Sequence, residues 1–178
     1  MNQGMNACTH SCMNYCEMAH DIVIYTDGAS RGNPGPGGYG VVLMSGNHRK
    51  ELSEGFRMTT NNRMELLALI KALEALKKMD SHVTIYTDSR YVADAIEKGW
   101  AFNWEKKRFK KKKNPDLWKR LLELYRKHNV RLYWVEAHAD IKENERCDQL
   151  AVEASKKDDL SVDQEYEKMR DSPDFLDE

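Results

Sequence analysis

Two periodicities alternate along the chain. Ile22, Val23, Ile24 and Tyr25 form an unbroken β-branched and aromatic run that ends at Thr26-Asp27-Gly28, which predicts a buried strand over 21–28. Further strands are expected at about 39–45 and 49–58, separated from the first by the Gly/Pro-dense stretch 28–38. Leu66, Leu69, Ile70, Leu73 and Leu76 then recur at helical spacing, predicting a helix over about 62–79. Asn62 and Glu65 at its start resemble a capping box. A strand at 82–87, a helix at 89–98, a helix from Asp116 to about His128, a strand at 130–136 and a helix at about 143–157 complete the pattern.

Three strands joined by short links favour an antiparallel meander, and the later strands, each reached through a helix, favour parallel pairing. The fold class is therefore α/β: a mixed sheet flanked by helices. Residues 1–19 show little periodicity and read as a mobile extension, residues 20–157 as the folded domain with a basic protrusion at about 100–115, and residues 158–178 as an acidic, disordered tail.

Hydrophobic content of 40% and charged content of 32% fit one soluble domain with a sizeable core. No apolar run approaches a membrane span, and the N-terminus carries no charged-then-apolar signal pattern. Cys8, Cys12 and Cys16 crowd the first twenty residues and Cys147 stands alone. That is a poor disulfide framework, so a cytoplasmic setting is expected. The net charge of −1 conceals an asymmetry: Trp104 to Lys113 holds seven Lys/Arg against one Glu, and Asp158 to Glu178 holds nine Asp/Glu against two Lys/Arg. The local basic patch, rather than the total, decides whether a polyanion can approach.

Two β-rich runs end alike, at Tyr25-Thr26-Asp27-Gly28 and Tyr86-Thr87-Asp88-Ser89. Strands that deliver an Asp from the same end of a sheet point to a shared site, because ligands in α/β sheets sit beyond the carboxyl ends of strands. Aspartates held together repel, and a divalent cation is the usual way to keep both ionised. Each acid also has a plain reading: Asp27 as a hairpin turn, Asp88 as an N-cap, Glu65 as a capping-box partner, Asp148 as solvated helix surface. Their coincidence on separate elements favours the site.

The motifs Tyr25-Thr26-Asp27-Gly28, Gly32 to Gly40, Thr60-Asn61-Asn62-Arg63-Met64-Glu65-Leu66, Tyr86-Thr87-Asp88-Ser89 and Glu143-Asn144-Glu145-Arg146-Cys147-Asp148 resemble, in order, those of ribonuclease H of the type I class. The similarity spans about residues 20–155. It implies a five-stranded mixed sheet with three antiparallel and two parallel strands. It implies hydrolysis of the RNA strand of RNA–DNA hybrids, leaving 3′-hydroxyl and 5′-phosphate ends. Position by position, it implies that Asp27, Glu65, Asp88 and Asp148 bind metal, with His138 as a further catalytic residue on a loop. Two Mg²⁺ ions are expected with substrate, Mn²⁺ being an alternative; ions about 4 Å apart activate the attacking water and stabilise the leaving oxygen.

The same resemblance implies hybrid contacts at Asn33, Thr60, Asn61 and Asn62. Amides both donate and accept, as contact with RNA 2′-hydroxyls requires. In the basic protrusion, Trp100 and Trp104 interleave with Lys106, Lys107 and Arg108, and aromatic faces suit sugar or base contact. This protrusion is shorter than the family's. The loop Ala137-His138-Ala139-Asp140 carries Ala and Asp where the family has glycines, and Asp140 is expected to favour the protonated imidazole. A monomer without membrane association is expected. The competing readings are a hybrid-binding module without catalysis and a DNA-cutting member of the same fold.

Overall fold

The structure is a computed structural model that describes residues 21–137 and 140–171. Its order is β1 (Ile22–Ser30), β2 (Gly35–Ser45), β3 (His48–Thr59), α1 (Asn61–Glu74), β4 (His82–Thr87), α2 (Arg90–Glu97), α3 (Trp100–Lys106), α4 (Pro115–Tyr125), β5 (Asn129–Trp134), α5 (Lys142–Ala154) and α6 (Gln164–Arg170). The strands form one sheet in the order β3-β2-β1-β4-β5. β1, β2 and β3 pair antiparallel, while β4 pairs parallel with β1 and with β5. This is the expected mixed sheet.

Alternation explains why the sheet has two different faces. Ile24, Val41, Val83, Ile85 and Leu132 join α1, α2 and α4 in the main core, where Leu66, Leu69, Ile70, Leu73, Trp118 and Leu121 are buried. The opposite face of β1 and β2 is covered by α5, with Val42, Cys147 and Leu150 as a smaller core. Among the described residues no helix is long and apolar enough to cross a membrane.

Several boundaries differ from those expected. The Gly/Pro-dense connection is mostly strand: Gly35 opens β2, and only 31–34 turn. The glycines there serve close packing rather than a long loop, as shown below. Helix α1 stops at Glu74 rather than 79, because Lys77, Lys78 and Met79 have no core to face. Asp116 does not cap α4. Asn114 is the N-cap residue, Pro115 occupies the first turn, and the Asp116 carboxylate accepts from Arg63 instead.

The larger correction concerns the acidic tail, which is ordered structure up to Asp171. Ser161 extends the sheet edge as a parallel bridge to Phe56, its N–H donating to Gly55 and its carbonyl accepting from Arg57. Asp163 is buried and accepts from Arg63 Nε at 2.6 Å and from Thr59 Oγ1 at 2.8 Å. Arg63, only 1% exposed, thus lies between Asp116 and Asp163, with Tyr166 of α6 5.6 Å beneath its guanidinium. A charged composition concealed an element that is held by pairing rather than by apolar area. The mobile extension expected at 1–19 and the tail beyond Asp171 lie outside the described residues.

Candidate active site

Asp27 lies in the buried stretch of β1, opposite Gly40 of β2, and is 8% exposed. The Gly28 N–H donates to its Oδ1 at 2.7 Å. Asp27 is therefore not a hairpin residue; β1 continues through Ser30. Asp88 follows β4 on the parallel neighbour of β1. It is not the N-cap of α2. Ser89 has that role and accepts from the Val92 N–H, leaving the Asp88 carboxylate free of the helix end. Trp134 Nε1 donates to the Asp88 carbonyl at 3.0 Å, and Arg90 stacks 3.3 Å over the same indole. These contacts hold the strand end in place.

Glu65 is not a capping-box residue either. The N-cap of α1 is Thr60, which makes no side-chain cap bond. The Glu65 carboxylate instead accepts from Asn61 Nδ2 at 2.8 Å and from the Ser89 hydroxyl. Asp148 comes from α5 and is half-buried. Asp27, Glu65, Asp88 and Asp148 line one cleft of about 330 Å³, together with Asn61 and Asn144.

Two glycines set how closely the helices approach. A Cβ on Gly28 would lie 2.3 Å from the Glu65 backbone nitrogen, and one on Gly40 would lie 2.1 Å from the Cys147 carbonyl oxygen. The absent side chains let α1 press Glu65, and α5 press Asp148, against the sheet beside Asp27.

The electrostatics follow from this crowding. Burial, then the charge of Asp88 and further those of Asp148 and Glu65, push Asp27 up to about 8 against the pull of the Gly28 N–H. Burial and Asp88 likewise push Glu65 up to about 7, opposed by its bonds from Ser89 and Asn61. The donor set is all hard oxygen, as Mg²⁺ prefers, and its mutual repulsion is what a cation would relieve. Asn144 is 3% exposed, and its Oδ1 has no hydrogen-bond partner among the described residues, so the cleft offers one further oxygen. The acids are gathered but not closed into a cage: among the described residues no three Asp, Glu, His or Cys side chains converge to hold an ion as they stand.

The sequence profile of the RNase H family matches residues 19–156. The chain belongs to the ribonuclease H family. Ribonuclease H of Syntrophus aciditrophicus is 59% identical over 150 residues, covering 82% of this chain and 86% of that one. Ribonuclease HI of Synechocystis is 50% identical over 155 residues, covering 84% and 96%. Among solved structures, LC9-RNase H1, a type 1 RNase H with the type 2 active-site motif, is 30% identical at a TM-score of 0.72, covering 89% of this chain and 84% of that one. LC11-RNase H1 in complex with RNA/DNA hybrid is 29% identical at a TM-score of 0.56, covering 75% and 95%. As a ribonuclease H, the protein is a nuclease hydrolase.

The other expected site residues of this ribonuclease H fall in different places. Asn33 and Asn61 meet, the Asn33 Oδ1 accepting from the Asn61 N–H at 3.3 Å. Asn33, Thr60 and Asn62 line a second groove, of about 560 Å³, on the other side of the α1 N-terminus. Trp100 is 44% exposed and carries Lys98 over its ring, whereas Trp104 packs edge-on against the buried Trp118 at 5.5 Å. Trp104 is thus partly a packing residue. Lys106, Lys107 and Arg108 are exposed at the end of α3, away from the second groove's lining. His138 lies outside the described residues, and its pairing with Asp140 with it.

Sequence reasoning missed Asn144 and the stretch Lys111 to Asn114. Asn144 sits among the motif residues Glu143 to Asp148, so its neighbours were the only signal. Lys111, Lys112 and Lys113 were part of the basic run, but only the fold shows that these, rather than Lys106 and Lys107, line the groove beside Asn33 and Asn62.

Proposed function

We propose that the protein is an endoribonuclease that hydrolyses the RNA strand of RNA–DNA hybrids, and that Asp27, Glu65, Asp88 and Asp148 hold two Mg²⁺ ions in the presence of substrate. The observation that supports this most is the gathering of these acids in one cleft, next to a ridge of amides at Asn33, Asn61 and Asn62. The relatives named ribonuclease H and the hybrid-bound LC11-RNase H1 support the same substrate.

When bound, the ions supply an activated water and charge stabilisation at the leaving oxygen. Asp27, at the centre of the sheet, is best placed to serve both. Ser89 and Asn61 orient the Glu65 carboxylate, and the Asn61 and Asn33 amides present donors and acceptors at the cleft's edge, where a 2′-hydroxyl would bind. Asn144 orients a water or a ligand through its unpaired oxygen. His138 carries a proton or assists product release. Attack of water on phosphorus breaks the bond to the 3′-oxygen. One product therefore ends in a 3′-hydroxyl and the other in a 5′-phosphate.

The test is incubation of the purified protein with end-labelled RNA–DNA hybrid, double-stranded RNA and double-stranded DNA, with Mg²⁺ and with chelator. Cleavage confined to the RNA of the hybrid, and abolished by chelator, is expected. Cleavage of the DNA duplex at an equal rate, or hybrid cleavage in chelator, would contradict the proposal.

A further inference from the structure

The sheet face that carries the carboxylates continues away from the cleft as a row of tyrosines. Tyr25 of β1, Tyr86 of β4 and Tyr133 of β5 are register partners on adjacent strands. Tyr25 stands two residues before Asp27, and Tyr86 two before Asp88, so alternation puts acids and rings on one face. The rings stack in a column. Centroids are 4.9 Å apart from Tyr25 to Tyr86 and 5.7 Å from Tyr86 to Tyr133, at interplanar angles of 20° and 26°. One end of the column is closed, because Tyr25 packs against the Val42, Cys147 and Leu150 cluster under α5. The other end is open: α5 lies over β1, β2 and β3, β5 is the edge of the sheet, and Tyr133 is 46% exposed.

Tyr86 has a ring on each side, Tyr25 and Tyr133. Tyr133 has Tyr86 on one side and no ring or cation on the other among the described residues. Arg131 stands two residues before it on the same side of β5, is exposed, and makes no ion pair among the described residues. A free π-face beside an unpaired cation suits a base and its phosphate. The nearest acid of α5, Glu143, bears on Tyr25 at the closed end and pairs with Arg49, so it does not oppose an anion at Tyr133. With about 3.3 Å for each residue along a strand and about 4.8 Å between strands, the free ring face lies roughly 10 Å from Asp88. A short run of unpaired nucleotides covers that span.

We propose that Tyr133, backed by Tyr86 and Tyr25, stacks on an unpaired base of the RNA strand where that strand runs out of the duplex beside the cleft, with Arg131 on the adjoining phosphate. The occupant is nucleic acid rather than protein because the column is continuous with the cleft of a nuclease on one sheet face. A base inside the duplex cannot use this platform, since its own neighbours already cover both its faces. The site therefore favours hybrids whose RNA continues single-stranded past the paired region. This rests on the proposed hybrid substrate and names one form of it.

Short fluorescent hybrids test it. Their affinities for the full-length protein are measured in chelator with blunt ends, with an unpaired RNA extension at the 3′ or the 5′ end, and with an abasic extension of equal length. The wild type is expected to bind one of the two extended hybrids about tenfold more tightly than the blunt one, and the abasic one no better than the blunt one. Only one end should gain, because the column lies to one side of the cleft. Tyr133→Ala should erase the gain and leave blunt-hybrid affinity unchanged, while Tyr133→Trp keeps it; Arg131→Gln should reduce it. Thermal melts and sedimentation are recorded alongside. Equal binding of blunt and extended hybrids by the wild type would overturn the proposal, a result that needs no variant to fold. So would an equal gain from abasic sugars, or a gain that Tyr133→Ala leaves intact. A Tyr133→Ala protein altered only in its sedimentation would assign the column to a protein contact and overturn it too. All these outcomes leave hybrid cleavage by the wild type untouched. A wild type that neither binds nor cleaves any hybrid would instead remove the reading on which the proposal rests.

Discussion

At the scale of single residues, the cleft is a place where charge is held against its preference. Asp27 has a folded-state value of about 8 against an ordinary 3.8. The folded protein therefore holds that proton more tightly than the unfolded chain. In the metal-free protein this favours folding fully below about pH 4, and the advantage is lost as pH rises through about 8. Asp27→Asn removes the charge and keeps the shape. It should raise the metal-free melting temperature by several degrees at pH 8, with the gain vanishing near pH 4, and lower hybrid cleavage by roughly 10³-fold. Melts across pH in chelator, with a cleavage assay, check both signs. Because Glu65 is also raised, to about 7, protons compete with metal for the same oxygens. The Mg²⁺ concentration that half-saturates cleavage should thus rise as pH falls from 9 to 6, and a constant value would speak against carboxylate ligation.

At the scale of elements, the site depends on how near α1 and α5 come to the sheet. Gly40→Ala places a methyl group 2.1 Å from the Cys147 carbonyl oxygen, so α5 must move and take Asp148 with it. A loss of about 1–3 kcal/mol in stability is expected, with a fall in cleavage larger than the stability loss explains; urea melts and initial rates separate the two. The sheet class and the two β-rich runs that carry Asp27 and Asp88 toward the same end of the sheet were legible in the sequence because alternation and β-branched runs report burial directly. Asn62 with Glu65, and Asp88, stand where caps commonly stand, and only packing shows that Thr60 and Ser89 occupy those positions. The glycines of β2 looked like loop because glycine is permissive in both settings; their reason is a helix that sequence alone does not place above them.

At the scale of the whole molecule, the chain's charge asymmetry resolves into three surfaces: an acidic cleft, a basic groove and an acidic strap anchored by Asp163 on Arg63 and Glu167 on Arg57. Net charge and composition suggested a disordered tail, since they cannot register that Asp163 meets an arginine one hundred residues away. Asp163→Ala leaves Arg63 with Asp116 alone and should cost about 3–5 kcal/mol, read as a lower urea midpoint. The account as a whole rests on four acids from β1, α1, the end of β4 and α5 acting as one metal site. Anomalous diffraction from crystals grown with Mn²⁺ and hybrid measures this directly in the Asp27→Asn protein, which should be too slow to consume the substrate. The account predicts peaks in direct contact with Asp88 or Asp148 and with Glu65, at the scissile phosphate. Peaks confined to other surfaces, with these carboxylates pointing apart, would contradict it.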